Sequence, residues 1–93
     1  MYFFKANRRL SLAAVESRYL RLGLVPDAVA VARVNTREPR FAMERPNAVQ
    51  FRDRTGRICA VTFHHLNDEA DVDAFACNRD WTKEWWFGGV RAS

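Results

Sequence analysis

Cysteine, glycine, proline and lysine are all scarce in this chain, and each scarcity excludes something. Four glycines and three prolines in 93 residues rule out collagen-like and low-complexity architectures. Two cysteines, Cys59 and Cys77, are too few for a disulfide scaffold, and neither sits in a CxxC pair. Both read as small buried apolar residues. No apolar run approaches the ~20 residues needed to span a bilayer, and the apolar start, Met1 to Phe4, is too short for a secretory signal before Arg8 and Arg9 intervene. A soluble cytoplasmic protein without membrane contact is the expectation. Recognisable chemistry is missing too. Gly88-Gly89 lacks the flanking strand and helix of a phosphate cradle, and no serine lies in a Gly-x-Ser-x-Gly elbow.

What is present is ordinary globular material, 48% apolar and 28% charged, enough for one domain over residues 1–93 with a modest core. The charge is segregated. Residues 1–57 carry twelve Lys/Arg against five Asp/Glu, and residues 58–93 carry three against six. Thirteen of the fifteen cations are arginine, whose planar guanidinium suits carboxylate and phosphate partners. Arginine and alanine, thirteen each, are also what a GC-rich bacterial or phage genome favours.

Along the chain, Tyr2 to Lys5 reads as a short strand. Leu12, Val15, Tyr19 and Leu22 recur at helical spacing, with Ser11 as cap, Gly23 at the C-terminal αL position and Pro26 as stop. Asp27 to Asn35 alternates valine and alanine, which favours a strand over a short capped helix. Phe41 to Met43 reads as a short strand after a loop holding Pro39. Asn47 to His64 reads as a hairpin whose register can be tested. A three-residue loop, Arg54-Thr55-Gly56, pairs Asp53 with Arg57, Phe51 with Cys59 and Val49 with Val61, and it places Gly56 where an αL residue is required. Asn67 or Asp68 is expected to cap a second helix ending near Asn78, with Asp68, Glu69 and Asp71 in its first turn and Val72, Phe75 and Ala76 inside. Trp81 to Val90 closes the chain as helix or strand. The expected fold is α+β, a small two-layer sandwich with two helices on one face of a mainly antiparallel sheet of three to five strands.

Candidate sites are weighed by spacing. Cys59 and His65 share a strand face but lie about 20 Å apart, too far for a dyad. His64 and His65 point to opposite faces of a strand and lack ligand spacing, so no metal and no cofactor are expected, although Asp68, Glu69 or Cys77 are the donors nearest in sequence. The acidic run from Asp68 to Asp73 is a solvated helix start or a docking patch for a basic partner. Arg52, Arg54 and Arg57 gather at the hairpin tip, and Arg37, Arg40 and Arg45 precede it. Together they form a candidate surface for an anionic partner. Trp85 and Trp86 are adjacent and cannot both point inward, so one is a candidate interface ring or is held by a neighbour. The reading is a non-enzymatic binding protein that docks on a larger protein or nucleoprotein complex. A phage or mobile-element inhibitor of a bacterial defence complex, anti-CRISPR-like, is its sharper form. Direct nucleic-acid binding through the arginines is the alternative, and a small His- or metal-dependent enzyme the second.

Overall fold

The structure, a computed structural model, describes residues 1–92 as three helices on a mixed six-stranded sheet. Strand β1 (Tyr2–Lys5) leads into helix α1 (Leu12–Leu22). Ser11 caps α1 by accepting from the Ala14 N–H at 3.0 Å, and Gly23 ends it with φ of 67°, a left-handed conformation that costs glycine little. A two-residue strand, β2 (Leu24–Val25), follows.

Residues 28–37 then form helix α2 (Ala28–Arg37), where the valine–alanine alternation had suggested a strand. The Asp27 carboxylate accepts from the Ala30 N–H at 3.0 Å, satisfying a donor that the first turn leaves orphaned. Only one valine needs the core. Val31 is fully buried while Val29 is 64% exposed, and Ala28, Val31, Ala32 and Asn35 fall on one helical face at i, i+3, i+4 and i+7. Asn35 and Asn47 then exchange amide hydrogen bonds of 2.8 and 2.9 Å, fastening α2 to the sheet. Residues 40–44, expected to contain a strand, form the short helix α3 (Arg40–Glu44), which seats Ala42 in the same core.

Strands β3 (Asn47–Arg52) and β4 (Ile58–Leu66) pair in the anticipated register, with Val49 opposite Val61 and Phe51 opposite Cys59. Gly56 takes φ of 86°, and the Asp53 N–H reaches the Arg57 carbonyl at 2.9 Å. Beyond β4 the expected second helix is a strand, β5 (Glu69–Ala76). Asn67 and Asp68 both adopt positive φ, 53° and 66°, and Leu66 pairs with Glu69. Two left-handed residues in a row make the tight turn that suits strand twist and prevents a helix from starting there. Strand β6 (Trp86–Arg91) closes the sheet.

The strand order is β1-β6-β3-β4-β5, with β2 also on β6, and β6 runs parallel to β3 through Trp86 and Phe87. Helices cover both faces rather than one. Successive side chains of a strand alternate, and Ala48 and Ala60 pack with Val15, Tyr19 and Phe87 under α1, whereas Val49 and Phe63 pack with Val31 and Ala42 under α2 and α3. At Gly88 the backbone approaches so closely that a Cβ would lie 2.6 Å from both Phe3 and Val31. Trp81, instead of joining a helix, bridges to Leu10 through reciprocal backbone bonds of 2.8 and 3.0 Å. No helix among the described residues is long and apolar enough to cross a membrane.

Candidate docking site

The six arginines singled out by sequence occupy opposite ends of β3. Arg37, Arg40 and Arg45 flank α3 ahead of β3, and Arg52, Arg54 and Arg57 surround the hairpin tip. Six residues of strand separate the groups by about 20 Å. Arg52 is engaged within the chain. Its Nε and Nη2 donate to both carboxylate oxygens of Glu16 at 2.6 and 3.0 Å, and its Nη1 donates to the Gly56 carbonyl at 2.6 Å. This bidentate pair holds the Glu16 carboxyl below its ordinary value and clamps the hairpin to α1. Asp53 is likewise held low by the Thr55 hydroxyl, aided by the backbone N–H groups of Arg57 and Thr55. Arg54 and Arg57 remain exposed at the tip.

The tryptophans divide between the faces. Trp85 lies half-buried on the α1 face, edge-on to Trp81 at 5.2 Å and to His64 at 6.1 Å. Trp86 points to the other face, where the Arg45 guanidinium lies 5.6 Å from its ring and 5.5 Å from Phe41. Lys5 adds a second cation 6.0 Å from Trp86. Both rings are therefore held by neighbours. Trp81, fully inside, donates from Nε1 to Gln50 Oε1 at 2.8 Å, and Gln50 donates onward to the Leu12 carbonyl at 2.9 Å. Tyr19 donates to the Gly88 carbonyl at 2.7 Å, and burial pushes its phenol well above the ordinary value. That hydroxyl is a fixed structural donor. Burial also raises both thiols, Cys59 and Cys77, opposite to what a reactive nucleophile needs.

Sequence reasoning did not find the exposed apolar residues of β5 and its turn. Strand β5 is eight residues long and ends the sheet, so one of its edges carries no partner strand among the described residues. Val72 and Phe75, expected inside, are 60% and 45% exposed, and Leu66 at the turn is 60% exposed. The hydrogen-bond phase follows from the turn. A two-residue hairpin bonds its flanking pair, here Leu66 and Glu69, and bonded pairs recur at every second position. His64–Asp71, Thr62–Asp73 and Ala60–Phe75 are thus the bonded pairs, and the Cys77 N–H continues the series to the Ile58 carbonyl at 2.9 Å. Ala70, Val72, Ala74 and Ala76 consequently direct their N–H and C=O groups to the free edge.

The two faces of β5 differ chemically. Ala70, Val72, Ala74 and Ala76 lie on the α2–α3 face, beside a cleft of about 430 Å³ lined by Ala32, Pro39, Ala42, Phe63 and His65. His65 approaches the Pro39 carbonyl through Nε2 at 3.2 Å, and its buried Nδ1 has no hydrogen-bond partner among the described residues. Glu69, Asp71 and Asp73 lie on the α1 face with His64. The acidic run expected at a helix start is therefore a row on alternate strand positions. Compared with family models, curated proteins and solved structures, the chain matches none.

Proposed function

We propose that this chain is a non-enzymatic binding domain that docks on a larger macromolecular partner by accepting an extended segment of a protein along β5. The observation that carries this reading is the free edge itself: four outward backbone positions in a row, with exposed Val72 among them. Such edges are templates for strand addition. The side chains of the occupant follow from those of β5. Aliphatic residues would continue the row beside the cleft, and cations would meet Glu69, Asp71 and Asp73 on the opposite face. A second copy of this chain fits less well. Antiparallel self-pairing centred on Val72 would set Asp71 against Asp73 of the second copy, and like charges opposite one another destabilise a sheet.

The separation of the arginine clusters, together with the engagement of Arg52 by Glu16, weakens the case for one continuous phosphate-binding surface. Arg54 and Arg57 contribute long-range steering toward anionic regions of the partner. Inhibition of a bacterial defence complex is the narrower setting that chain size and composition suggest, and no residue of β5 selects it.

The test uses a peptide as long as the eight residues of β5, alternating lysine and valine, titrated by NMR and calorimetry beside a glutamate–valine control. Selective binding of the lysine peptide, with shifts along residues 70–76, supports the proposal when Ala74→Pro abolishes it. Proline there removes an outward N–H while leaving the bonded pairs to β4 intact, and circular dichroism verifies the fold. Absence of binding, or binding untouched by Ala74→Pro, overturns it. Salt-sensitive binding of a DNA oligonucleotide that disappears in Arg54→Ala/Arg57→Ala would replace it with the nucleic-acid reading.

A further inference from the structure

The tight turn at Asn67-Asp68 folds β5 back on β4 so that His64 faces Asp71 directly and Asp73 diagonally. His64 Nε2 lies 3.5 Å from Asp71 Oδ2 and 3.4 Å from Asp73 Oδ2, and the three donor atoms all fall within 4.8 Å of one another. We infer that His64, Asp71 and Asp73 form a binding site for a divalent transition metal, with zinc the ion that fits.

The distances carry the assignment. Zinc bonds imidazole nitrogen and carboxylate oxygen at about 2.0–2.1 Å, so two ligands in a tetrahedron stand about 3.3–3.4 Å apart. Both histidine–aspartate separations match that spacing. They are long for direct hydrogen bonds, and a single imidazole N–H can serve only one carboxylate well. The third pair, the two carboxylates, lies within 4.8 Å, and Asp73 is exposed. The Trp85 ring stands edge-on to the imidazole at 6.1 Å, limiting its reorientation and leaving Nε2 aimed at the carboxylates.

The donor set also selects the ion. One imidazole and two carboxylates suit zinc and its neighbours, whereas calcium and magnesium prefer all-oxygen shells. With three protein ligands the fourth position opens to solvent, available to water or to a donor from a docked molecule. His65, on the opposite face, takes no part. Bound zinc would pin the first half of β5 to β4, making the site a clip on the strand whose other edge is free. The inference rests on the side-chain donors rather than on the free backbone edge, and zinc held there would neutralise two of the three acids that the docking reading sets against the occupant's cations.

The test is titration of the purified protein with zinc chloride, followed by calorimetry and by the imidazole resonances in long-range ¹H–¹⁵N spectra. Cobalt serves as the spectroscopic stand-in. Because Cys59 and Cys77 are free thiols, the titration is repeated in Cys59→Ser/Cys77→Ser. The expected result is one zinc per chain, a shift at His64 Nε2 but not at His65, and visible cobalt bands of four-coordinate intensity. His64→Ala and, independently, Asp71→Asn should each weaken zinc binding more than about tenfold with the fold preserved, since even losing a partner that orients a ligand costs 10–100-fold. Binding that survives both substitutions, binding that disappears with the cysteines, or no saturable binding would each overturn the assignment.

Discussion

Replacing Gln50 with leucine tests the internal logic of the fold most sharply. Gln50 is a polar residue, 3% exposed, in the middle of a sheet. Its amide joins Trp81 Nε1 at 2.8 Å to the Leu12 carbonyl at 2.9 Å, tying β3 to the first turn of α1 and to the segment leading into β6. Leucine fills similar space but makes neither bond. Two net hydrogen bonds are worth roughly 1 kcal/mol each, and an orphaned buried indole N–H adds about 1–3 kcal/mol. The transfer of an aliphatic side chain in place of an amide offsets part of this, leaving a destabilisation of about 2–3 kcal/mol. For a domain of this size that corresponds to a fall in Tm of roughly 10–20 °C. Urea and thermal unfolding followed by far-UV circular dichroism would measure it. Trp81→Phe combined with Gln50→Leu should cost less than the sum of the two single changes, because no donor is then left unpaired. A single Gln50→Leu variant within about 0.5 kcal/mol of the parent, the range of neutral surface substitutions, would refute the reasoning.

Two further outcomes follow from the packing and the charges. Gly88→Ala introduces a Cβ 2.6 Å from the Phe3 ring and from a methyl of the fully buried Val31, so overpacking should cost about 1–3 kcal/mol in urea denaturation. Glu16 and Asp53 are both held below their ordinary values of 4.5 and 3.8. Their contribution to stability is therefore complete above those values and disappears as pH falls through the lower folded-state values. The urea midpoint should drop across that acid range, and Glu16→Gln and Asp53→Asn should each flatten the drop. Added salt should shrink the Glu16 part, since that pair is solvent-exposed.

Sequence pattern was decisive where local and cross-strand constraints agreed. At β3–β4 the loop length, the position of Gly56 and the matching of apolar residues across the strands admit one register, and the structure adopts it. Ser11, Gly23 and the stripe through Val15 and Tyr19 likewise fix α1. Local pattern failed where two periods were both available. Residues 28–35 satisfy an alternating and a helical spacing at once, and the Asp27 cap and the single buried valine decide for the helix. Residues 68–76 resemble a capped helix because acids crowd its start. The alternation of Glu69, Asp71 and Asp73 with Ala70, Val72 and Ala74 nevertheless has a period of two, and the adjacent Asn67-Asp68 pair suits consecutive left-handed turn residues.

That one substitution of strand for helix governs the candidate sites. A helix over 68–78 would bury Val72 and Phe75 and scatter the acids, whereas the hairpin exposes an edge and lines the acids up. The pairing of His64 with Asp71 was legible only as an equal distance from the turn on either side, with Asp73 one diagonal step further along the strand, a signal that has meaning once the turn is known. Helices on both faces of the sheet were also hidden, because β1 and β6 meet from opposite ends of the chain. No local spacing encodes that contact.

Amide hydrogen exchange on the free protein, read residue by residue, tests the central claim about β5 most directly. The Asp71, Asp73 and Phe75 N–H groups are bonded to β4, and those of Ala70, Val72, Ala74 and Ala76 face outward. The account predicts fast exchange at the outward set alternating with protection at the inward set, with the outward amides slowing when the lysine–valine peptide is added. Uniform protection of residues 70–76 in the free protein would mean that the edge is already covered. Uniformly fast exchange would mean that β5 is not a strand, and either result would contradict the account.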